Sequence, residues 1–343
     1  MGRSATTVSE SLKKFPPFPP IAARLLGTLS GSEIEIHEVA ELISNDATFT
    51  ARVLQRANSA LYGQLNPVAN LKQAVALLGF DQTRNIVLTQ ATAAYTQGAL
   101  KTEELQRCWQ HTIATAVLAE EVAKVCSAFV QTAFTAGIMH DIGRLGLLVA
   151  YPEDYERIIR DAAARCLDLL DFEHEEFGLD HAEAGRMLAE RWQLPADVCI
   201  VAGRHHDPSD GADLDLLRIV HVACRLADFL GFDVVKPLVP LELDAVLADL
   251  PQAARAKLQD TNRLSAAVNQ RISEYGTSRG APPEETLALL NNPDDRDQQG
   301  QDDPLESTIY FAEEKSDRMS PALVALIALA IFAIAAVALL TLR

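Results

Sequence analysis

The chain predicts an all-α fold, on three grounds. Alanine and leucine dominate a sequence that is 48% hydrophobic but only 6% aromatic, and both residues favour helices. Apolar residues recur three and four positions apart along most of it, the spacing of a one-sided helix. Capping residues, glycines and prolines fall between those runs and punctuate them as separate helices.

With 343 residues there is room for one large or two medium domains. The formal charge of −17 argues against nucleic acid as the main partner, because phosphate binding needs a cationic surface. Cys108, Cys126, Cys166, Cys199 and Cys224 are odd in number, widely spaced and without a CxxC pair. They read as reduced thiols rather than a disulfide framework.

Residues 1–14 are expected to be a tail without the apolar core of a signal peptide. Phe15–Pro20, FPPFPP, reads as a rigid packed arm with two aromatic anchors. The N-terminal helical half then spans 15–100. Its first helix covers Ile21–Leu29, with Ile21, Leu25 and Leu29 on one face. Ile36–Ile43 repeats the pattern. Asn45 or Asp46 can cap Ala47–Asn58, which turns Phe49, Val53 and Ala57 inward. After a loop broken by Gly63 and Pro67, Leu71–Leu78 is a helix, and Asp81 can cap another through Thr92. This half has one histidine, His37, expected at the surface, and no cluster of catalytic residue types.

The half at 101–231 holds the other seven histidines. Glu103–Cys126 puts His111, Ala114, Leu118, Val122 and Val125 on one face. A lone histidine there is more often a core residue than a ligand. Gly137–Gly146, GIMHDIGRLG, sets His140 and Asp141 side by side in apolar sequence. They are either a capping carboxylate beside a buried histidine or a nitrogen/oxygen donor pair suited to a transition metal. A helix follows through Tyr151, then an amphipathic one over Tyr155–Leu169, and Glu173–Asp180 reads as a polar connection. Asp180 can cap the helix that opens at His181, and Pro195 starts the next, which ends at His205-His206. Adjacent helical side chains diverge by about 100°, so those two histidines are not expected to share one ion easily. His206 can instead cap the helix end. In Leu214–Leu230, Asp228 lies on the stripe Leu217, His221, Cys224, Asp228. A carboxylate there needs a cation or a partner such as Arg225 or Arg144.

Residues 232–275 give additional helices, and 276–318 is an acidic linker with the composition of disorder. Residues 319–342, Met319–Leu342, contain no charge. They are long enough at about 1.5 Å per residue to cross a hydrocarbon core of roughly 30 Å. Only Arg343 follows, so a single transmembrane tail anchor is expected. Lys315 and Arg318 just before it put the rest on the cytoplasmic side of the inner membrane.

The order His111, His140-Asp141, His181, His205-His206, Asp228 resembles the HD superfamily of helical metal-dependent phosphohydrolases, with the extra histidines of the HD-GYP phosphodiesterases. The chain is more similar still to the HDOD group, the HD-related output domains of bacterial signalling. LISNDATFTARVLQRANSALYG, AVALLGFDQTRNIV, HDIGRLGLL, HAEAGRMLAERWQLPADVCIVAGRHH and ACRLADFLG carry that resemblance, from Phe15 to Gly231. It implies a multi-helical HD-like domain with an N-terminal helical subdomain. It also implies a regulatory, protein-interaction role with signalling partners and no established catalysis. The alternative is a phosphohydrolase in which His111, His140, Asp141 and Asp228 hold one divalent ion (iron, manganese or zinc) and His181 with His205 or His206 holds a second. DPSDGADLD after His205-His206 lacks the Gly-Tyr-Pro element, which counts against cyclic-dinucleotide hydrolysis. Arg144 replaces the usual lysine and is expected to steady a phosphate. Ala47 stands where proline is common.

Overall fold

The computed structural model describes residues 3–15, 18–27, 35–59, 68–96, 99–165, 167–207, 213–237 and 239–275. All belong to one compact unit, 1–290. The acidic linker and the apolar stretch at 319–342 lie outside the described residues.

Every regular element among the described residues is a helix. The first six are α1 (Ala5–Lys13), α2 (Pro20–Gly27), α3 (Ile36–Ser44), α4 (Ala47–Ala57), α5 (Leu71–Leu78) and α6 (Phe80–Thr96). The next six are α7 (Glu103–Cys126), α8 (Ala133–Met139), α9 (Ile142–Ala150), α10 (Pro152–Arg165), α11 (Leu169–Phe177) and α12 (His181–Arg191). The last five are α13 (Ala196–Arg204), α14 (Leu216–Phe229), α15 (Leu243–Val246), α16 (Gln252–Lys257) and α17 (Thr261–Tyr275).

The caps explain many of the starts. Asp46 accepts from the amides of Thr48 and Phe49 at α4, and Thr102 accepts from Leu105 at α7. Asp180 and Glu183 form a reciprocal capping box at α12, which satisfies two otherwise orphaned amides. Phe49, Val53 and Ala57 are buried, as their spacing predicts. On α3 the inward face is Val39, Ala40 and Ile43, while Ile36 is 47% exposed.

Helix α7 is the axis of the fold. It buries residues around its whole circumference, as a helix without a solvent face must, and packs against α8, α14 and α17. Helix α12 lies across α9 and α13. Ala133–Ala150 is apolar enough to cross a membrane, yet 89% of it is buried inside the fold. It is therefore the core pair α8 and α9.

Two sequence expectations are corrected. The segment 1–14 is not a loose tail, because α1 buries Val8 and Leu12 against α9 and α12. Nor is Glu173–Asp180 a polar connection. Its first five residues belong to α11, whose buried face is Leu169, Phe172, Glu173 and Phe177. The proline arm anchors as expected through Phe18, 4% exposed and stacked on Trp192.

Candidate metal centre

His140 and Asp141 occupy the junction of α8 and α9. His140 is the C-cap of α8 and Asp141 the N-cap of α9. An N-cap aspartate ordinarily accepts from the helix's first amides, but Asp141 makes no such bond. Its carboxylate is turned into the protein instead. Glycines make that junction dense. A Cβ on Gly143 would lie 2.0 Å from the His181 carbonyl oxygen and 2.2 Å from the Gly185 nitrogen. One on Gly137 would lie 2.6 Å from Ala116 Cα. Only glycine lets α9 meet α12, and α8 meet α7, closely enough to bring His140, Asp141 and His181 together.

His140, Asp141 and His205 are completely buried and His181 is 1% exposed. The tautomers follow from the outward-facing nitrogens. His140 Nδ1 lies 2.6 Å from the Gly137 carbonyl, and His205 Nδ1 lies 3.2 Å from the Val201 carbonyl. His181 Nδ1 donates to Glu173 Oε2 at 2.7 Å. Each Nδ1 therefore carries the proton, which leaves Nε2 as a lone pair pointing inward. Burial holds the His140 pKa well below its ordinary value and lowers that of His205, with Asp141 opposing both. These two rings are neutral at physiological pH.

The result is a convergence of acceptors. His181 Nε2 and His205 Nε2 lie 3.3 and 3.5 Å from Asp141 Oδ1, and 3.3 Å from each other. His140 Nε2 and Asp141 Oδ1 have no hydrogen-bond partner. Facing lone pairs repel unless a cation lies among them, so the residues present fit a metal. Two donor sets share His205, namely His140–Asp141–His205 and His181–His205–His206.

Arg144 already brings one positive charge. It is 5% exposed, its Nε donates to Asp141 Oδ2 at 2.7 Å, and its terminal nitrogen lies 3.0 Å from His181 Nε2. Burial alone would raise the Asp141 carboxyl. The Arg144 guanidinium outweighs it and holds Asp141 well below the usual carboxylate range. The guanidinium thus faces inward onto the cluster, where the sequence placed it at a phosphate.

Two further expectations change, and one residue of the centre was missed. His205 and His206 do converge, with Nε2 atoms 3.3 and 2.8 Å from His181 Nε2. The helix ends at Arg204, so the 100° divergence does not apply. Glu173, missed in the sequence, is fully buried and accepts from Tyr155 Oη, the His181 amide and His181 Nδ1. Asp228 is not in either donor set. Its Oδ1 lies 3.4 Å from His111 Nδ1, which also faces the Phe232 carbonyl at 3.0 Å. His111 points Nε2 instead toward Cys224 Sγ, 3.4 Å away.

An all-helical body with a buried histidine–carboxylate centre at a His-Asp helix junction is the general class. The HDOD domain family model matches residues 15–208, and the chain belongs to that family. A Treponema pallidum protein described as uncharacterized is 24% identical over 207 residues. That match covers 59% of this chain and 40% of the relative's own length, so the two share only part of that longer protein. An HDOD domain protein of unknown function from Geobacter sulfurreducens has the same fold, with a TM-score of 0.64, 23% identity and coverage of 83% of this chain and 97% of that one. A Shewanella amazonensis protein provisionally named a phosphohydrolase matches with a TM-score of 0.56 and 23% identity, over 82% and 97% of the two chains.

Proposed function

We propose that this chain is a signalling output module that acts through protein contacts, and that its buried histidine–carboxylate centre holds a divalent transition metal as a structural element. The observation that carries this reading is the burial of the donors. His140, Asp141 and His205 are completely buried and His181 nearly so, with Arg144 laid across Asp141. That arrangement suits a cation locked into the fold better than one open to a phosphodiester. Iron, manganese or zinc fits an imidazole and carboxylate set. Once bound, such an ion is a Lewis acid that lowers the pKa of a coordinated water. His140, His181, His205 and Asp141 would hold it, while Glu173 orients His181 and Arg144 balances Asp141. Exposed Ile36 and Leu77, on the contacting helices α3 and α5, support a partner face in the N-terminal half.

The test is to load the metal-stripped protein with manganese, iron or zinc and follow thermal stability and phosphodiester cleavage together. This reading expects a raised Tm and no turnover. Metal-dependent turnover that disappears with His140→Ala would overturn it in favour of a phosphohydrolase. That second reading is supported by one observation, the adjacency of the donor sets His140–Asp141–His205 and His181–His205–His206, since two-ion hydrolytic sites hold their metals about 3.5–4 Å apart. We also propose that 319–342 tethers the module to a membrane, on the strength of its length and lack of charge. Deleting Ser320–Arg343 should release the protein from the membrane fraction, and continued retention would refute the anchor.

A further inference from the structure

His111, His140 and Cys224 each offer a donor atom from a different segment, α7, the end of α8 and α14. These atoms all lie within 4.8 Å of one another. The three residues are 3%, 0% and 4% exposed. His111 turns Nδ1 to the Phe232 carbonyl and His140 turns Nδ1 to that of Gly137, so both inward nitrogens are lone pairs. His140 Nε2 is buried without any partner. Nothing in the fold of the polypeptide uses it.

We propose that Cys224, as a thiolate, is a ligand of the centre together with His111 and His140, making it a mixed sulfur/nitrogen site for a thiophilic ion of the zinc class. The inference rests on the metal-centre reading above and revises its donors. The single Nε2 lone pair of His140 serves one ion, so that ion takes His111 and Cys224 in place of His181 and His205, which remain with His206 as the adjoining donor set. A tetrahedral zinc with bonds of about 2.3 Å to sulfur and about 2.05 Å to nitrogen has a sulfur–nitrogen edge of roughly 3.5 Å. Cys224 Sγ and His111 Nε2 are 3.4 Å apart. Asp141 is the next donor to hand, with Oδ2 3.6 Å from His140 Nε2. Asp228 lies one turn after Cys224 on the same helix, but it faces His111 Nδ1, the nitrogen opposite the coordinating one. It is a positioning residue that fixes the His111 tautomer, as carboxylates behind metal-bound imidazoles do.

Sulfur changes what the site selects. Imidazole and carboxylate alone accept manganese or iron, whereas a thiolate favours zinc. Coordination exchanges the thiol S–H bond for a sulfur–metal bond and releases one proton to solvent. No electron is transferred and no further reactant is consumed.

Cobalt(II) titrated into the metal-stripped, full-length chain in detergent tests this. The expected result is a thiolate-to-cobalt charge-transfer band in the near ultraviolet. It should be lost in Cys224→Ser and retained in Asp228→Asn, with far-ultraviolet circular dichroism unchanged in both. Should Cys224→Ser fail to fold, X-ray absorption of the zinc-loaded wild type provides the second measurement. A sulfur scatterer at about 2.3 Å supports the site, and a shell of nitrogen and oxygen alone overturns it. Cobalt binding without the band, or a band that survives Cys224→Ser, also overturns it while leaving the metal-centre reading intact. Failure to bind any cobalt or zinc defeats both.

Discussion

Glu173→Ala is the substitution that most exposes how the centre is held. Glu173 is fully buried and accepts from three donors: the Tyr155 hydroxyl, the His181 amide at 2.8 Å and His181 Nδ1 at 2.7 Å. Burial alone would raise its pKa, but His181, Arg144 and Tyr155 outweigh burial and keep it lowered, so the carboxylate is charged. Truncation strands all three donors away from water. Each costs about 1–3 kcal/mol when left unsatisfied, partly offset because a buried charge is removed with them. We expect the three losses less that offset to leave Glu173→Ala about 3–5 kcal/mol less stable. With an m-value of about 3 kcal/mol per molar urea, the unfolding midpoint should drop by roughly 1–1.7 M. Glu173→Gln keeps one acceptor oxygen and should lose about 1–2 kcal/mol. Urea unfolding of a chain ending at Leu290, the limit of the compact unit, measures both. A loss under about 0.5 kcal/mol for Glu173→Ala, the size of an ordinary surface change, would refute the claim that Glu173 supports His181.

Other outcomes follow from the same geometry. Gly143→Ala would drive a methyl group into the backbone of His181 and Gly185, costing about 3 kcal/mol or more in denaturant unfolding. Gly146→Ala meets only side-chain ends, Leu188 Cδ1 at 2.7 Å and Leu12 Cδ2 at 3.4 Å, and should cost about 1 kcal/mol. Arg144→Gln leaves Asp141 without its counter-charge and should lose about 3–5 kcal/mol. Zinc should then raise the Tm of this variant more than that of the wild type, because the ion supplies the missing positive charge. In the metal-free protein, His140 and His205 resist protonation when folded. Their unfolded forms take up a proton near the ordinary value of 6.5. Stability is therefore fully present above that pH and is lost as pH falls through it toward the folded values. The slope is roughly 1.4 kcal/mol per pH unit for each ring. Urea midpoints measured from pH 8 to 5 should show this decline, and a flat profile would contradict the neutral, buried assignment.

Much of the fold was legible because its signals are local. The caps Asp46 and Asp180 are read from a short polar residue standing just before a helical run, and α5 and α7 have the limits their spacing suggests. The centre was legible residue by residue, because histidines in apolar helical sequence stand out. What failed was distance and rotation. Glu173 was hidden by its charged neighbours His174, Glu175 and Glu176, although its spacing from Leu169, Phe172 and Phe177 put it on the buried stripe of α11. Its partners, Tyr155 and His181, lie on other helices. Cys224 and Asp228 share a face of α14 one turn apart, so periodicity alone cannot choose between them. The placement of His111 on α7 decides it, by presenting Nε2 to the thiol and Nδ1 to the carboxylate. The convergence of His205 and His206 depends on α13 ending at Arg204, a boundary that sequence rarely fixes to the residue.

The central claim is that facing lone pairs of His140, His181 and His205 around Asp141 form a cation site. Metal content tests it most directly. The chain would be purified without added metal, equilibrated with zinc or manganese and desalted before analysis, alongside His140→Ala. The account predicts about one to two tightly held ions per chain in the wild type and a clear loss in His140→Ala. A wild-type chain that stays metal-free after equilibration, or a His140→Ala variant that retains the full complement, would contradict it.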